Sequence, residues 1–286
     1  MLKIPVRSLN ATAKDLKSSG SFKIRDVQEI LNGKDIVHAL HRHDFFFILA
    51  LQKGNGSHAI DFINYSVHDN CIFLLKPGQV HQLELKADSV GFLAEFDTAF
   101  YHPVGSVSNQ RLRKATNKNY CTLEESKFKR LFSKLDYIFN EYKAREEGYV
   151  DIIKANLDIF FIEYLRQSQN LGEHNSESTY TQERFDEFLE LVEKNIASLK
   201  QVSHYCDLMH LSPYQLNSVT KEVVGKAASE VINEHIVLEA KRHLLATSNQ
   251  VKEIADILGY EDISYFIRFF KKQTGYSPES YRQNFK

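Results

Sequence analysis

The chain has 286 residues, 43% apolar and 26% charged, with 36 Lys and Arg against 37 Asp and Glu for a net charge of −1. At about 100–200 residues per domain this suggests two domains of ordinary soluble globular composition. It excludes extended disorder, collagen-like repeats and a disulfide scaffold, and it gives no overall basic balance pointing to nucleic acid, so charge has to be read locally. The longest apolar run, Phe45 to Leu51, is far short of the ~20 residues a membrane-spanning helix needs. The opening stretch MLKIPVRSLNATAKD has no apolar core of a secretory signal. Three widely spaced cysteines, Cys71, Cys121 and Cys206, fit small buried hydrophobes in a reducing compartment, so the expected location is cytoplasmic with no membrane association.

Residues 1–120 read as strands. β-Branched and aromatic runs at 44–51, 58–63, 70–75, 81–85 and 90–96 recur every 10–12 residues, the spacing of an antiparallel sandwich or barrel. Lys53-Gly54-Asn55-Gly56 and Lys76-Pro77-Gly78-Gln79 read as hairpin turns. His41-Arg42-His43 is expected to begin the strand that continues as DFFFILALQKG, with both histidines on one face.

The period then changes to 3.6. Residues 123–147 carry Phe128, Leu131, Leu135, Ile138, Phe139 and Tyr142 on one stripe, Gly148 interrupts, and 150–167 form a second apolar helix. The two helices are expected to dock on the barrel and to pair with a second copy of the chain through Leu131, Leu135, Ile138 and Tyr142. Residues 169–180 are polar with Gly, Ser and Asn and read as a linker. The predicted organisation is therefore 1–168, a sensor and dimerisation domain; 169–180, linker; and 181–286, an all-helical domain.

The helical domain contains a repeat. Lys221 and Lys271, Gly225 and Gly275, and Leu216 and Phe266 are each fifty apart, and upstream the offset falls to 49, with Cys206 matching Ala255. Each unit reads as a short helix (203–209 and 251–258), a turn, and a longer helix (213–223 and 263–273) ending at Gly. This is the pattern of a helix-turn-helix, whose second helix enters the DNA major groove. A linking helix at 227–246 would span roughly 30 Å, near the ~34 Å of one DNA turn, so that both recognition helices could enter successive grooves. Residues 181–286 hold 13 Lys and Arg against 15 Asp and Glu, yet 264–286 hold five bases against one acid. The expected DNA-facing residues are Tyr214, Gln215, Asn217, Ser218 and Lys221 in the first unit and Ser264, Tyr265, Ile267, Arg268, Lys271 and Lys272 in the second, with Arg268 the chief base reader and the lysines on phosphates.

The run 254–282 resembles the C-terminal signature of AraC/XylS-type transcription regulators at Ala255, Gly259, Tyr260, Ser264, Phe266, Arg268, Phe270, Lys271, Gly275, Pro278, Tyr281 and Arg282. The resemblance implies a seven-helix domain with two helix-turn-helix motifs. The first motif departs from the family pattern, with Ser218 in place of Arg, Thr220 in place of Phe, Ala227-Ala228 in place of Ser-Pro and Ile236 in place of Arg. Specificity should then rest more on the second motif.

His41, His43 and, downstream, Pro77-Gly78-Gln79-Val80-His81 resemble the two cupin motifs, and regulators of this type often carry a cupin-like sensor domain ahead of the DNA-binding one. In metal-binding cupins a Glu follows the paired histidines, whereas here those places hold Phe47 and Ile48. The expectation is accordingly no stoichiometric metal and no cofactor, and an organic effector held by His41, His43, Phe47 and His81 with Phe45 and Phe73 nearby. The resulting fold class is α+β in two domains, an antiparallel cupin-like barrel with two following helices and a C-terminal all-α domain. The function expected is that of a one-component activator, not an enzyme, whose partners are double-stranded DNA, an unidentified small molecule, a second copy of the chain and RNA polymerase. The alternatives are a metal-dependent cupin enzyme fused to a DNA-binding module, and a regulator whose barrel binds a protein.

Overall fold

The computed structural model describes residues 6–7, 9, 20–101, 111–112, 114–169 and 179–285, which fall into two compact units, one within 6–174 and one within 175–286. The first is built from two sheets. In chain order its strands are β1 (Val6–Arg7), β2 (Phe22–Asp26), β3 (Ile36–Val37), β4 (His41–His43), β5 (Phe46–Lys53), β6 (Gly56–Ile60), β7 (Ile63–Val67), β8 (Cys71–Leu75), β9 (Val80–Leu85), β10 (Val90–Phe96) and β11 (Tyr120–Thr122), with helix α1 (Val27–Leu31) after β2. One sheet has the order β1-β4-β9-β6-β7, with β3 also on β9; the other has the order β11-β8-β5-β10-β2. All pairs are antiparallel except the short β1–β4 pair.

The uninterrupted apolar run 45–51 has a simple cause. The second sheet is covered on both faces, so alternation hides nothing from the core. Phe47, Leu49, Leu51, Phe73, Leu75 and Leu93 pack between the sheets with Ile60, Leu83 and Leu85. Their strand neighbours Ile48, Ala50, Ile72, Leu74, Phe92 and Ala94 point the other way, onto helices α2 (Glu125–Ala144) and α3 (Tyr149–Gln169).

Three local expectations are corrected by this topology. Residues 41–51 are two strands in different sheets, parted by a bend at Asp44-Phe45. The turns at 53–56 and 76–79 are not hairpins; each carries the chain from one sheet to the other. The hairpin lies instead inside the expected strand 58–63, where Asp61 and Phe62 both take positive φ between β6 and β7. Asp61 is held there by its carboxylate, which accepts from Val80 N at 3.2 Å and Gln79 Nε2 at 2.9 Å.

The residues expected at a dimer seam are corrected as well. Leu131, Leu135 and Ile138 are buried within the chain itself, on the second sheet and α3, and the ring of Tyr142 meets Phe22 edge-on at 5.6 Å. The stripe read from the sequence is the docking face. The outward stripe lies on α3, where Ala155 and Ile159 are exposed and Ile152 and Ile162 half-buried.

Among the described residues the second unit has seven helices, α4 (Thr179–Asn195), α5 (Val202–Met209), α6 (Pro213–Val224), α7 (Ala228–Ala246), α8 (Val251–Ile257), α9 (Ile263–Thr274) and α10 (Pro278–Phe285). Its core runs along α7 through Ile232, Ile236, Ala240 and Leu244, with Phe188, Tyr205, Leu216, Phe266 and Phe270 packed around it. The linker reading at 169–180 lies almost wholly outside the described residues. The three cysteines are free and buried, and burial raises the Cys71 thiol to about 11. Among the described residues no helix is long and apolar enough to cross a membrane.

Candidate functional site

The two halves of the helical unit share one backbone frame. After α5, His210 takes the left-handed conformation, and Leu211 N donates to Cys206 O at 3.0 Å; forty-nine residues on, Gly259 takes it, and Tyr260 N donates to Ala255 O at 2.9 Å. Both are the 6→1 bond that closes a helix end. Glycine is required at 259, because a Cβ there would sit 1.7 Å from Ala197 O. Lys200 closes the same turn from outside, donating to Ala197 O and Gly259 O at 3.1 and 3.0 Å with its ammonium 4.9 Å from the Tyr260 ring centre. Leu216 and Phe266 fill the angle in each unit and are fully buried.

Each recognition helix starts on a side-chain cap. Ser212 Oγ accepts from Gln215 N ahead of α6, and Asp262 Oδ1 accepts from Ser264 N ahead of α9. Both helices end on left-handed glycines, Gly225 and Gly275, whose N–H groups bond Lys221 O and Lys271 O at 2.9 Å. These fixed ends set which side chains face out. On α6, Tyr214 (84% exposed), Gln215, Ser218 and Lys221 are exposed. On α9, Ser264, Tyr265, Arg268, Lys271 and Lys272 are exposed and Ile267 is half-buried. The Arg268 guanidinium is 3.9 Å from Asp262, a loose surface pair that leaves its donors accessible.

Two polar groups of the repeat are turned inward. Asn217 is half-buried, donating to Pro213 O and accepting from Ala228 N. Arg282 donates to Leu244 O at 3.0 Å and Asn249 O at 2.5 Å, so its charge ties α10 to the end of α7.

In the sheet unit the strand registers gather imidazoles. His41 pairs with His81 across β4 and β9, Ile60 pairs with His81 across β9 and β6, and alternation adds His43 and His58 to the same inner face. All four rings are buried. His43 Nε2 lies 2.8 Å from His41 Nε2 and 2.9 Å from His81 Nε2, and His81 Nδ1 lies 2.8 Å from His58 Nε2. Phe47 packs on the cluster, its ring centre 5.6 Å from that of His43 and 5.3 Å from that of His81. The expected set His41, His43, Phe47 and His81 is thus brought together. His58 was not among the residues the sequence singled out. Its signal was a polar residue two places from Ile60 on the inward face of a strand. Burial lowers the His58 imidazole to about 3 and lowers that of His81 further.

Residues 205–284 match the helix-turn-helix domain model, and residues 30–135 match the AraC-like ligand binding domain model. Over 98 residues the chain is 33% identical to the bifunctional transcriptional activator/DNA repair enzyme AdaA of Bacillus subtilis, covering 34% of this chain and 46% of that protein. The chain therefore spans under half the length of AdaA. Over 252 residues it is 21% identical to the HTH-type transcriptional activator RhaR of Yersinia pseudotuberculosis, covering 86% of this chain and 84% of that one. Among solved structures, wild-type ToxT from Vibrio cholerae is 15% identical over 93% of this chain and 95% of its own, with a TM-score of 0.39. The chain therefore carries an AraC-like ligand-binding domain ahead of a helix-turn-helix domain, the two-domain architecture of AraC-type transcription regulators.

Proposed function

We propose that this regulator is a sequence-specific transcription activator, cytoplasmic and dimeric, whose two recognition helices read successive major grooves on one side of the duplex. The observation that carries the reading is the duplicated frame, with equivalent turns and caps at offsets of 49 and 50 that present α6 and α9 alike. The linking helix α7 has 19 residues, roughly 28 Å at 1.5 Å per residue, which suits the ~34 Å between half-sites once the flanking turns are added. Tyr214, Gln215, Ser218 and Lys221 would face the first groove and Ser264, Tyr265, Ile267, Arg268, Lys271 and Lys272 the second. Asn217 is assigned to the frame instead. Activation implies contact with RNA polymerase, and no catalytic step is assigned to the chain.

The sheet domain, within 1–168, would take up a small-molecule effector at His41, His43, Phe47 and His81. It can act only by binding two arrangements of the molecule with different affinity. The dimer would use the outward stripe of α3, Ile152, Ala155, Ile159 and Ile162.

The test is selection of a binding site from a random duplex library by the full chain, followed by titration of the selected duplex. An enriched two-half-site sequence with half-sites one turn apart supports the reading. Failure to enrich any sequence, or binding unchanged in the Arg268→Ala, Lys271→Ala double variant, overturns it.

A further inference from the structure

We infer that the free edge of β7, Ile63–Val67, is a self-pairing surface that takes the same strand of a second copy of the chain, antiparallel, across a two-fold axis at Tyr65. The contact is separate from the outward stripe of α3 and comes in addition to it.

The outermost strands are β1 and β7 in one sheet and β11 and β2 in the other. An edge strand offers unpaired N–H and C=O groups, and proteins guard such edges by keeping them short or by placing charge or proline on them. β1 has two residues and β11 three. β2 has five, FKIRD, and carries Lys23, Arg25 and Asp26. β7 also has five, INYSV, with no charge and no proline, and its register with β6 runs without a bulge. Among the described residues it is the one long edge left unguarded.

The hydrogen-bond pattern fixes what that edge offers. Lys86 N donates to Asn55 O and Asp61 N to Val80 O, so the odd-numbered residues of β6 bond to β9. The even ones, Gly56, His58 and Ile60, bond to β7, where they face Val67, Tyr65 and Ile63. The N–H and C=O groups of Asn64 and Ser66 therefore point outward from the edge, and both residues are exposed.

The strand reads alike in both directions: apolar, polar, aromatic, polar, apolar. Turned about Tyr65, it sets Asn64 opposite Ser66 of the second copy, and Ser66 opposite the copy's Asn64, each pair exchanging both N–H···O bonds. The polar side chains share one face. On the other, Tyr65 meets its own counterpart at a non-hydrogen-bonded pair, where side chains lie closest. Ile63, 57% exposed, comes to lie beside Val67 of the copy. That face is already aromatic, with the Tyr65 ring centre 5.3 Å from that of Tyr120 and 6.3 Å from that of Phe73. A second β7 extends this cluster and brings no like charges into opposition along the strand. Five-residue strands bury little area, so the contact is weak by itself. Together with a dimer seam on α3 it gives each chain two isologous contacts, which link dimers into larger assemblies.

The test is disulfide trapping with the full chain, whose native cysteines are all buried. Asn64→Cys and Ser66→Cys are made separately, at exposed positions that leave the β6–β7 bonds intact. Opposite residues of a hydrogen-bonded pair have Cα atoms about 5.5 Å apart, inside the range a disulfide spans, whereas 64 against 64, or 66 against 66, is two residues out of register and beyond it. Under mild oxidation an equimolar mixture should give about tenfold more covalent dimer than either variant alone. Adding Ile63→Lys to both chains should suppress that excess with the thermal midpoint unchanged; if this variant fails to fold, the mixture still decides. The excess should persist with Ile159→Glu in both chains, which separates this edge from α3. Equal yields from mixed and unmixed variants, or an excess that survives in folded Ile63→Lys or vanishes with Ile159→Glu, overturns the pairing. Resistance of both new thiols to alkylation in dilute protein overturns it too, because residues of the same chain would then cover the edge.

Discussion

Asn217 Oδ1 accepts a hydrogen bond from Ala228 N at 3.0 Å, while its Nδ2 donates to Pro213 O at 2.9 Å. Ala228 is the first residue of α7, where an N–H has no partner within the helix. Fifty residues on, the same two places hold Ile267 and Pro278, and proline has no N–H to satisfy. The first unit lacks the Ser-Pro of the family pattern, and the structure shows what stands in for it. Asn217 caps Ala228, and the Glu230 carboxylate accepts from Ala227 N at 2.7 Å.

That relationship predicts a cycle. Asn217→Ile should destabilise the helical domain by about 1–2 kcal/mol, the cost of an orphaned buried donor. In an Ala228→Pro background the same change should cost much less. Ala227, with φ −70° and ψ 152°, already has the conformation proline demands of the residue before it. Urea denaturation of the four proteins measures the coupling, and additive effects would show that Asn217 acts some other way.

DNA reading should be unequal between the units. Arg268 offers a fixed fork of donors that can engage guanine O6 and N7 together, whereas Ser218, its equivalent fifty residues earlier, can make a single bond. Arg268→Ala should cost about 1–3 kcal/mol and relax preference at one or two base pairs. Ser218→Ala should cost much less. Lys271→Ala should weaken all sequences alike and reduce the salt slope by about one phosphate's share. Titrations on selected and scrambled duplexes at two salt concentrations separate these outcomes. Greater loss of specificity in Ser218→Ala than in Arg268→Ala would reverse the assignment.

Replacements on the two faces of the helical pair should part company. Leu131 is fully buried, so Leu131→Ala should cost about 2–5 kcal/mol of stability. Ile159 is 42% exposed, so Ile159→Glu should leave the thermal midpoint nearly unchanged and shift the chain toward monomer. Light scattering at micromolar concentration reads the second effect. A wild type that is already monomeric, or an Ile159→Glu variant that stays dimeric, would remove α3 from the interface.

The linking helix carries an acid-sensitive group. Burial works to raise the Glu239 carboxyl, but His243 and the Arg242 guanidinium, 2.9 Å away, outweigh it and hold the carboxyl down at about 2. A carboxylate depressed in the folded state binds its proton more readily when unfolded. Its contribution is therefore full above the ordinary value of 4.5 and is lost as pH falls from there toward 2. Glu239→Gln should cost up to roughly 2–3 kcal/mol at pH 6 and distinctly less at pH 3. Urea midpoints at the two pH values test this, and a gap that does not narrow would mean the ion pairs contribute no differential stability.

The sequence alone determined the helical domain almost to the residue. Its information there is local: glycines at 225 and 275 and plugs at 216 and 266, repeated at a fixed offset of fifty, whereas the caps at Ser212 and Asp262 and the left-handed turn at Gly259 came only with the structure. It also marked three of the four clustered histidines, because alternation places His41 and His43 on one face of a strand and the resemblance to the cupin motifs points to His81. Only the tertiary structure decided the rest. Whether a turn such as 53–56 closes a hairpin or carries the chain to another sheet depends on strands distant in sequence, and so does the register that sets His58 beside His81. An apolar stripe such as Leu131, Leu135 and Ile138 shows that a helix has something to bury and is silent on what buries it. Here it is the outer face of the chain's own second sheet, apolar on both sides because both are covered.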